Sequence, residues 1–290
     1  MSMFVPKRLI PYVLAAGFAG LAALQPAAAA PPADKVLLAP HRAVYDLKLS
    51  KTHGSRSIQA VHGRILYDFS GSACEGYALQ FRQVSELDSG EGKAALSDLR
   101  STTWEDGAAK TFRFNSENLL NDEETDKVDG HAERNAKTVA VNLSKPKAAS
   151  FDVPVGAVFP TEHMRRIIAA GREGKTILDF QVYDGSETGE KLYNTLTVIG
   201  HAIPPGEKPP TDATAKIPAF AKLARWPVTI SYFEQQDPKD ERGGELTPVY
   251  TIGFELYENG VSRALVLDYS DFTIAGELSS LEMKKEKPCP

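Results

Sequence analysis

Apolar and polar side chains alternate with a period of two residues through most of this chain. The alternation is clearest around residues 45–49, 112–114, 178–182, 228–232 and 252–256. Successive side chains of a β-strand point to opposite faces of the sheet, so this period is typical of strands with one buried face. The pattern therefore predicts a mainly β protein.

Turn sequences separate these runs. Asn259-Gly260 lies between a strand that ends near Tyr257 and the next apolar run, and Asp184-Gly185 follows another strand. Short turns of this type join antiparallel neighbours. The chain predicts roughly a dozen strands, and a twisted sheet of more than about ten strands tends to curl or close. We therefore expect a long antiparallel sheet that curls.

Two short segments depart from the alternation and predict helices. In the first, apolar residues between Met164 and Gly171 fall at helical spacing after Pro160, and Thr161 is the predicted N-cap. The second predicted helix runs from Pro218 to Arg225. The first helix is a candidate to fill the concave face of a curled sheet.

A proline-rich stretch, Pro204–Pro210, lies between the two predicted helices. Its composition favours an extended, solvated loop. Two interpretations stay open at this point: a surface loop, or a docking strip for a protein partner.

The N-terminus has the order of features found in secretory signals. Lys7 and Arg8 precede an apolar run, Leu9–Leu24, and small residues at Ala27–Ala30 follow it. We predict a signal peptide over residues 1–29, one domain over residues 30–290, and a periplasmic location. The alternative is a retained membrane anchor, for which this run is short.

Net charge argues against nucleic acid as a partner. Removal of the predicted signal peptide takes away Lys7 and Arg8 and no acidic residue, which changes the net charge from −5 to −7. A chain of this sign gains nothing from phosphate neutralisation. An anionic membrane surface is disfavoured for the same reason.

The chain contains two cysteines, Cys74 and Cys289, and both lie in the predicted exported part. An oxidising compartment permits a disulfide between them. Such a bond would close a loop of 215 residues, worth at most about 5 kcal/mol on the chain-entropy model. Two free buried thiols, or links between chains, are the alternatives.

Motifs of catalysis and metal binding are incomplete in this sequence. The six histidines are scattered singly, and Gly174-Lys175-Thr176 lacks the opening glycine of a phosphate-binding loop. The acidic stretch Asp122–Asp129 has Lys127 where a calcium loop needs glycine, so we interpret it as a hairpin tip. The sequence predicts no catalytic residue, no metal and no cofactor.

Four segments, called here the family strings, carry a resemblance to a known family. They contain Trp104, Glu105, Asp106 and Trp226 and span Gly71–Tyr77, Ser101–Gly107, Phe159–His163 and Arg225–Phe233. With the two cysteine positions, they resemble the EipB family of periplasmic cell-envelope integrity proteins. The resemblance extends from about His41 to Cys289.

The resemblance implies more than the residues show by themselves. It implies a β-spiral, in which a long antiparallel sheet curls into an incomplete barrel with helical segments packed against it. It implies a disulfide between Cys74 and Cys289 and a part in maintaining the envelope. It carries over no catalytic residue.

Three functional hypotheses follow. The first is a non-catalytic protein that holds a lipid, or the lipid of a lipoprotein, on its concave sheet. Aromatic residues often line such pockets, and the predicted lining is Phe180, Trp226, Tyr232 and Phe254. The competing interpretation, which is favoured for any one of them taken singly, is an ordinary core residue. The second is an interaction module for a periplasmic protein, and the third is an envelope hydrolase whose site forms only in three dimensions.

Overall fold

The computed structural model describes residues 36–53, 58–90, 94–235, 247–285 and 289. The predicted signal peptide lies outside these ranges. Within them, no helix is both long and apolar enough to cross a membrane.

The described residues form fourteen strands, one α-helix and two short 3-10 turns. The elements are β1 His41–Thr52, β2 Ala60–Ser72, β3 Gly76–Asp88, β4 Ala94–Glu105, β5 Thr111–Leu120, β6 Glu123–Arg134, β7 Thr138–Lys145, β8 Ala149–Pro154, α1 Pro160–Arg172, β9 Ile177–Val182, β10 Tyr193–Ile199, β11 Arg225–Glu234, β12 Tyr250–Tyr257, β13 Ser262–Asp268 and β14 Phe272–Met283.

All of these strands belong to one antiparallel sheet. Strands β1 to β8 follow one another as a meander, β9 to β14 form a second meander, and β14 pairs with β1. The two edges of the sheet are therefore β8 and β9, which are consecutive in sequence and joined through α1. Just after β8, Val158 makes a two-bond parallel bridge to the end of β9 at Val182. The sheet is an incomplete barrel, as predicted.

Packing across the sheet shows that it curls. Phe69 on β2 and Val228 on β11 belong to the same buried cluster, although four strands lie between them in the sheet. Helix α1 supplies Ile167 and Ile168 to this cluster. The helix therefore fills part of the concave face, as its apolar stripe predicts.

Two predictions about helices need correction. Helix α1 begins at Pro160 with Phe159 at the N-cap position, two residues before the predicted N-cap Thr161, because proline at the first helical position needs no N–H partner. The second predicted helix is two 3-10 turns, Ala213–Lys216 and Pro218–Lys222. Prolines on both sides leave too few residues there for an α-helix to propagate.

The turn predictions have different outcomes. Asn259-Gly260 does join two antiparallel neighbours, β12 and β13. Asp184-Gly185, in contrast, opens a long connection to β10 rather than a tight turn. We call the part of it from Asp184 to Glu190 the acidic loop.

The predicted hairpin tip is confirmed. Asn121 and Asp122 form the turn with positive φ angles, and the carboxylates that follow lie along β6, which pairs with β5.

Candidate functional site

The four family strings come together around α1. We call this region the helix junction and define it as α1 with the groups that contact it, which are the side chains of Glu105, Arg134 and Trp226 and the carbonyl of Gly107.

Glu105, at the end of β4, caps the N-terminus of α1. Its carboxylate accepts the backbone N–H groups of Thr161 and Glu162, each at 2.8 Å. Burial raises the pKa of Glu105 to about 8, and the neighbouring Glu162 carboxylate acts in the same direction, whereas the two N–H donors oppose it. Helix N-termini leave N–H groups without partners inside the helix, so a carboxylate from another strand can satisfy them.

Gly107 brings the cysteine string against the helix junction. A Cβ atom at this position would lie 1.7 Å from the carbonyl oxygen of Ala73, so only glycine permits this approach of the two backbones. The carbonyl of Gly107 also accepts a hydrogen bond of 2.7 Å from Arg165 of α1. The neighbouring Cys74 is joined to Cys289 by a disulfide.

The other members of the Trp104-Glu105-Asp106 motif also have structural contacts. The ring of Trp104 lies against Gly76, where a Cβ atom would come within 2.7 Å of it, and Arg113 stacks on the ring at 5.4 Å. The Asp106 carboxylate accepts the backbone N–H of Thr111 at 3.0 Å and so closes the β4–β5 turn.

Ion pairs hold the first turn of α1. Glu162 pairs with Arg134 of β6 at 2.9 Å and with Arg166 at 2.5 Å. The Arg134 guanidinium also stacks over the ring of Phe159 at 4.9 Å. These contacts connect α1 to β6 of the first meander.

His163, on the first turn of α1, is buried against the second meander. Its Nε2 atom lies 3.4 Å from the hydroxyl of Thr197, and the ring of Phe180 contacts it edge-on. Burial lowers the pKa of His163 to about 4, and Arg166 acts in the same direction. The imidazole is therefore neutral at neutral pH.

Trp226 forms the floor beneath the helix. Its side chain is 5% exposed, and Gly171 of α1 approaches so closely that a Cβ atom there would lie 3.0 Å from the indole. Phe254 belongs to the same buried cluster.

Beside the helix junction, the concave face contains a cleft of about 580 Å³. Its apolar wall is formed by inner-face side chains of β3, β4 and β5, namely Leu79, Phe81, Leu99 and Phe114. Three of the four belong to different hydrophobic clusters: Leu79 packs against the first, Phe114 lies within the second, and Phe81 packs against the third. The cleft is therefore the space where these clusters meet, and α1 reaches it only with its first residue, Pro160.

The acidic loop forms the opposite wall. Gly185, with φ of +68°, lies against the ring of Phe114, and a Cβ atom there would come within 2.4 Å of it. The hydroxyl of Tyr183 donates to the carbonyl of Gly189 at 2.6 Å, which closes the loop. The carboxylates of Asp184 and Glu187 thereby line the cleft.

The predicted lining residues all lie on the inner face, but they lie around α1 and not on the wall of this cleft. Trp226 and Phe254 are buried beneath the helix, and Phe180 contacts His163. Tyr232 is half-buried. Burial raises the pKa of its hydroxyl, and the nearby Asp184 carboxylate acts in the same direction. That these four residues contact a ligand stays a prediction.

Comparison with known proteins places the chain in a family. The sequence profile described as EipB-like matches residues 32–285. The chain belongs to the EipB-like family. The cell envelope integrity protein EipB of Brucella abortus (strain 2308) is 37% identical over 268 residues, which cover 92% of this chain and 89% of that protein.

A solved structure supports the fold of this EipB-like chain. It is the crystal structure of a β-barrel-like protein of a domain of unknown function from Brucella abortus. The match has a TM-score of 0.77 and 35% identity, and it covers 86% of this chain and all of that one.

The motif residues are visible in the sequence, whereas the cleft was not predicted from it. Ser101, Thr103 and Ser116 alternate with outward-facing residues on β4 and β5 and line the cleft. Small polar residues at inner-face positions of an otherwise apolar pattern were the available signal. For metals, the described residues contain no group of three or more His, Cys, Asp or Glu side chains placed to hold an ion.

Proposed function

We propose that this chain is a periplasmic, non-catalytic protein that supports cell-envelope integrity by holding the apolar part of a lipid or lipoprotein in the cleft. The name of its Brucella relative supports the envelope role. The observation that carries the binding role is the cleft itself, whose apolar wall of Leu79, Phe81 and Leu99 is only half-buried.

The fold leaves apolar surface uncovered in the cleft. Burial of apolar surface is worth roughly 25 cal/mol per Å², so a concave apolar wall favours any ligand that can cover it. Pockets of roughly 300 to 1,000 Å³ are the usual size for small-molecule ligands, and the cleft of about 580 Å³ lies within that range. An acyl chain fits this chemistry because it needs no hydrogen-bond partner along its length.

A substitution that fills the cleft tests the proposal. Ser101 is half-buried and lines the cleft, whereas its neighbour Thr102 is exposed on the outer face of the same strand. We expect Ser101→Trp to abolish uptake of a fluorescent fatty alcohol and Thr102→Trp to leave it unchanged. Binding titrations measure the uptake, and both variants should also be returned to cells that lack the protein and challenged with detergent.

The result that contradicts the proposal is equally specific. Uptake that is unchanged in Ser101→Trp, or native mass spectrometry of wild-type protein without any co-purifying or added lipid, would remove the cleft as a lipid site.

The hydrolase hypothesis has one observation in its favour, because three carboxylates, Asp126, Asp184 and Glu187, line the cleft. Glu187 already has partners, since it accepts a hydrogen bond from Tyr193 and pairs with Lys191, both at 2.5 Å. Turnover of an envelope glycan or lipid by the purified protein, lost in Asp184→Asn, would favour an enzyme over a binding protein.

The interaction-module hypothesis is tied to the proline-rich loop. Arg225 donates to the carbonyls of Glu207 and Lys208, the latter at 2.5 Å, so the loop has a fixed position on the surface. A partner for this loop stays a prediction, and crosslinking in cells with and without residues 204–210 tests it.

A further inference from the structure

The charges around the cleft all have one sign. Three carboxylates line it, and its remaining lining side chains in the described part of the chain are apolar, hydroxyl or amide groups. The nearest cation that the contacts reveal is Lys191, which pairs with both Glu187 and Glu234. One lysine between two carboxylates leaves this wall with a net negative charge.

Asp184 is the least exposed of the three acidic residues, since it is half-buried whereas Asp126 and Glu187 are exposed. It accepts the backbone N–H of Ser186 at 2.9 Å. Burial raises the pKa of Asp184, the Ser186 hydroxyl and N–H oppose that rise, and the Glu187 carboxylate reinforces it. A desolvated carboxylate next to a second carboxylate is stabilised in its charged form by a cation.

Asp184 and the apolar wall line the same cleft. Gly185 holds the backbone beside Asp184 against the Phe114 ring, and that ring is itself part of the apolar wall. A ligand that covers the wall is therefore brought next to Asp184.

On the basis of the proposed function, we infer that the cleft selects amphiphiles whose polar end is a primary ammonium group, with Asp184 as its counter-ion. A free carboxylate or phosphate on the ligand would meet the acidic loop and be disfavoured by like charge. A neutral acyl chain would bind through the apolar wall alone.

Three probes of matched chain length test this inference: decylammonium, decanoate and decanol, each titrated calorimetrically below its micelle concentration. We expect decylammonium to bind about tenfold more tightly than decanoate at low salt. The preference should shrink in 0.5 M NaCl, because salt screens charges separated by more than about 3 to 4 Å at such ionic strength.

Substitutions test whether Asp184 is the residue responsible for the preference for decylammonium. Asp184→Asn should remove most of the preference for decylammonium over decanoate, measured as the ratio of the two affinities. The matched control is Asp179→Asn, which removes the same charge from the exposed outer face of β9 and should keep the preference. Circular dichroism melts verify that both variants fold, and the salt dependence of the wild type gives an independent reading if Asp184→Asn does not fold.

The outcomes separate this inference from the function on which it rests. Equal binding of all three probes, or tighter binding of decanoate, would overturn the ammonium preference and leave the lipid-holding role intact. A preference that survives in Asp184→Asn would overturn the assignment of the counter-ion. Failure of every probe to bind would overturn both.

Discussion

The helix junction and the cleft are neighbours on the same concave face. They differ in how many charged groups have partners and in how deeply their apolar side chains are buried. At the helix junction, Glu105, Glu162 and Arg165 are all paired, and Trp226 is buried beneath the helix. In the cleft, the apolar side chains are half-buried and the acidic loop is short of cations. Within the described residues, no buried side-chain polar atom lacks a partner.

This difference indicates which residues build the fold and which remain available to a ligand. The four motif residues have structural contacts: Glu105 and Trp226 hold α1, Asp106 closes a turn, and Trp104 packs on Gly76. Ser101 and Thr103 belong to the same string but face the cleft. These motif residues therefore serve the fold, and under the proposed function the ligand contacts other residues, those around the cleft.

The largest change in stability is expected when an aromatic residue of the helix junction is replaced by alanine, and the same replacement in the cleft wall is its comparison. Trp226→Ala should lower the free energy of unfolding by about 3 to 5 kcal/mol, because it leaves a cavity under α1. Phe81→Ala, in the cleft wall, should cost about 1 kcal/mol, since its side chain is already partly exposed. Urea unfolding measures both values, and similar losses would contradict the distinction between the two regions.

The disulfide next to the helix junction should give the second effect. Cys289→Ser should lower the free energy of unfolding by about 2 to 4 kcal/mol, because the unfolded chain gains the freedom of an open loop. Ligand uptake by the cleft should remain.

The matched control is the double variant of Cys74→Ser with Cys289→Ser, which should be no less stable than either single variant. Melting temperatures measured without reductant test this. Wild-type stability in a single variant would mean that the bond contributes nothing.

The third prediction is a pH dependence of the stability of the helix junction. The pKa of His163 is about 4 in the folded protein and about 6.5 in an unfolded chain. Folding therefore favours the neutral imidazole, and this contribution is complete above pH 6.5 and is lost as the pH falls towards 4. The loss should reach about 2 kcal/mol at pH 5.

A comparison of variants isolates this contribution from other titrating groups. The change in unfolding free energy between pH 7 and pH 5 should be smaller in His163→Gln than in the wild type. His131→Gln, on the exposed outer face of β6, should keep the wild-type change. An identical pH response in all three proteins would exclude His163 as its source.

The strands, the main helix and the family could all be predicted from the sequence, because they depend on local periodicity and on short strings. Alternation at Val228, Ile230 and Tyr232 appears in the structure as an inner face of β11, and Asn259-Gly260 joins the strands it was expected to join. The predicted helix at Pro218–Arg225 was wrong, because the spacing of apolar residues does not show that nearby prolines leave too few residues for an α-helix.

The position of the cleft could not be predicted from the sequence, because it depends on how distant segments pack. Leu79 and Phe81 on β3 look in sequence like any other core positions, yet they border a cleft because α1 reaches this space only with Pro160. Asp184 follows a strand as an ordinary turn residue would, and it becomes a wall of the cleft through the approach of Gly185 to Phe114. Periodicity records which face a side chain occupies, whereas the space opposite that face depends on segments far away in the chain.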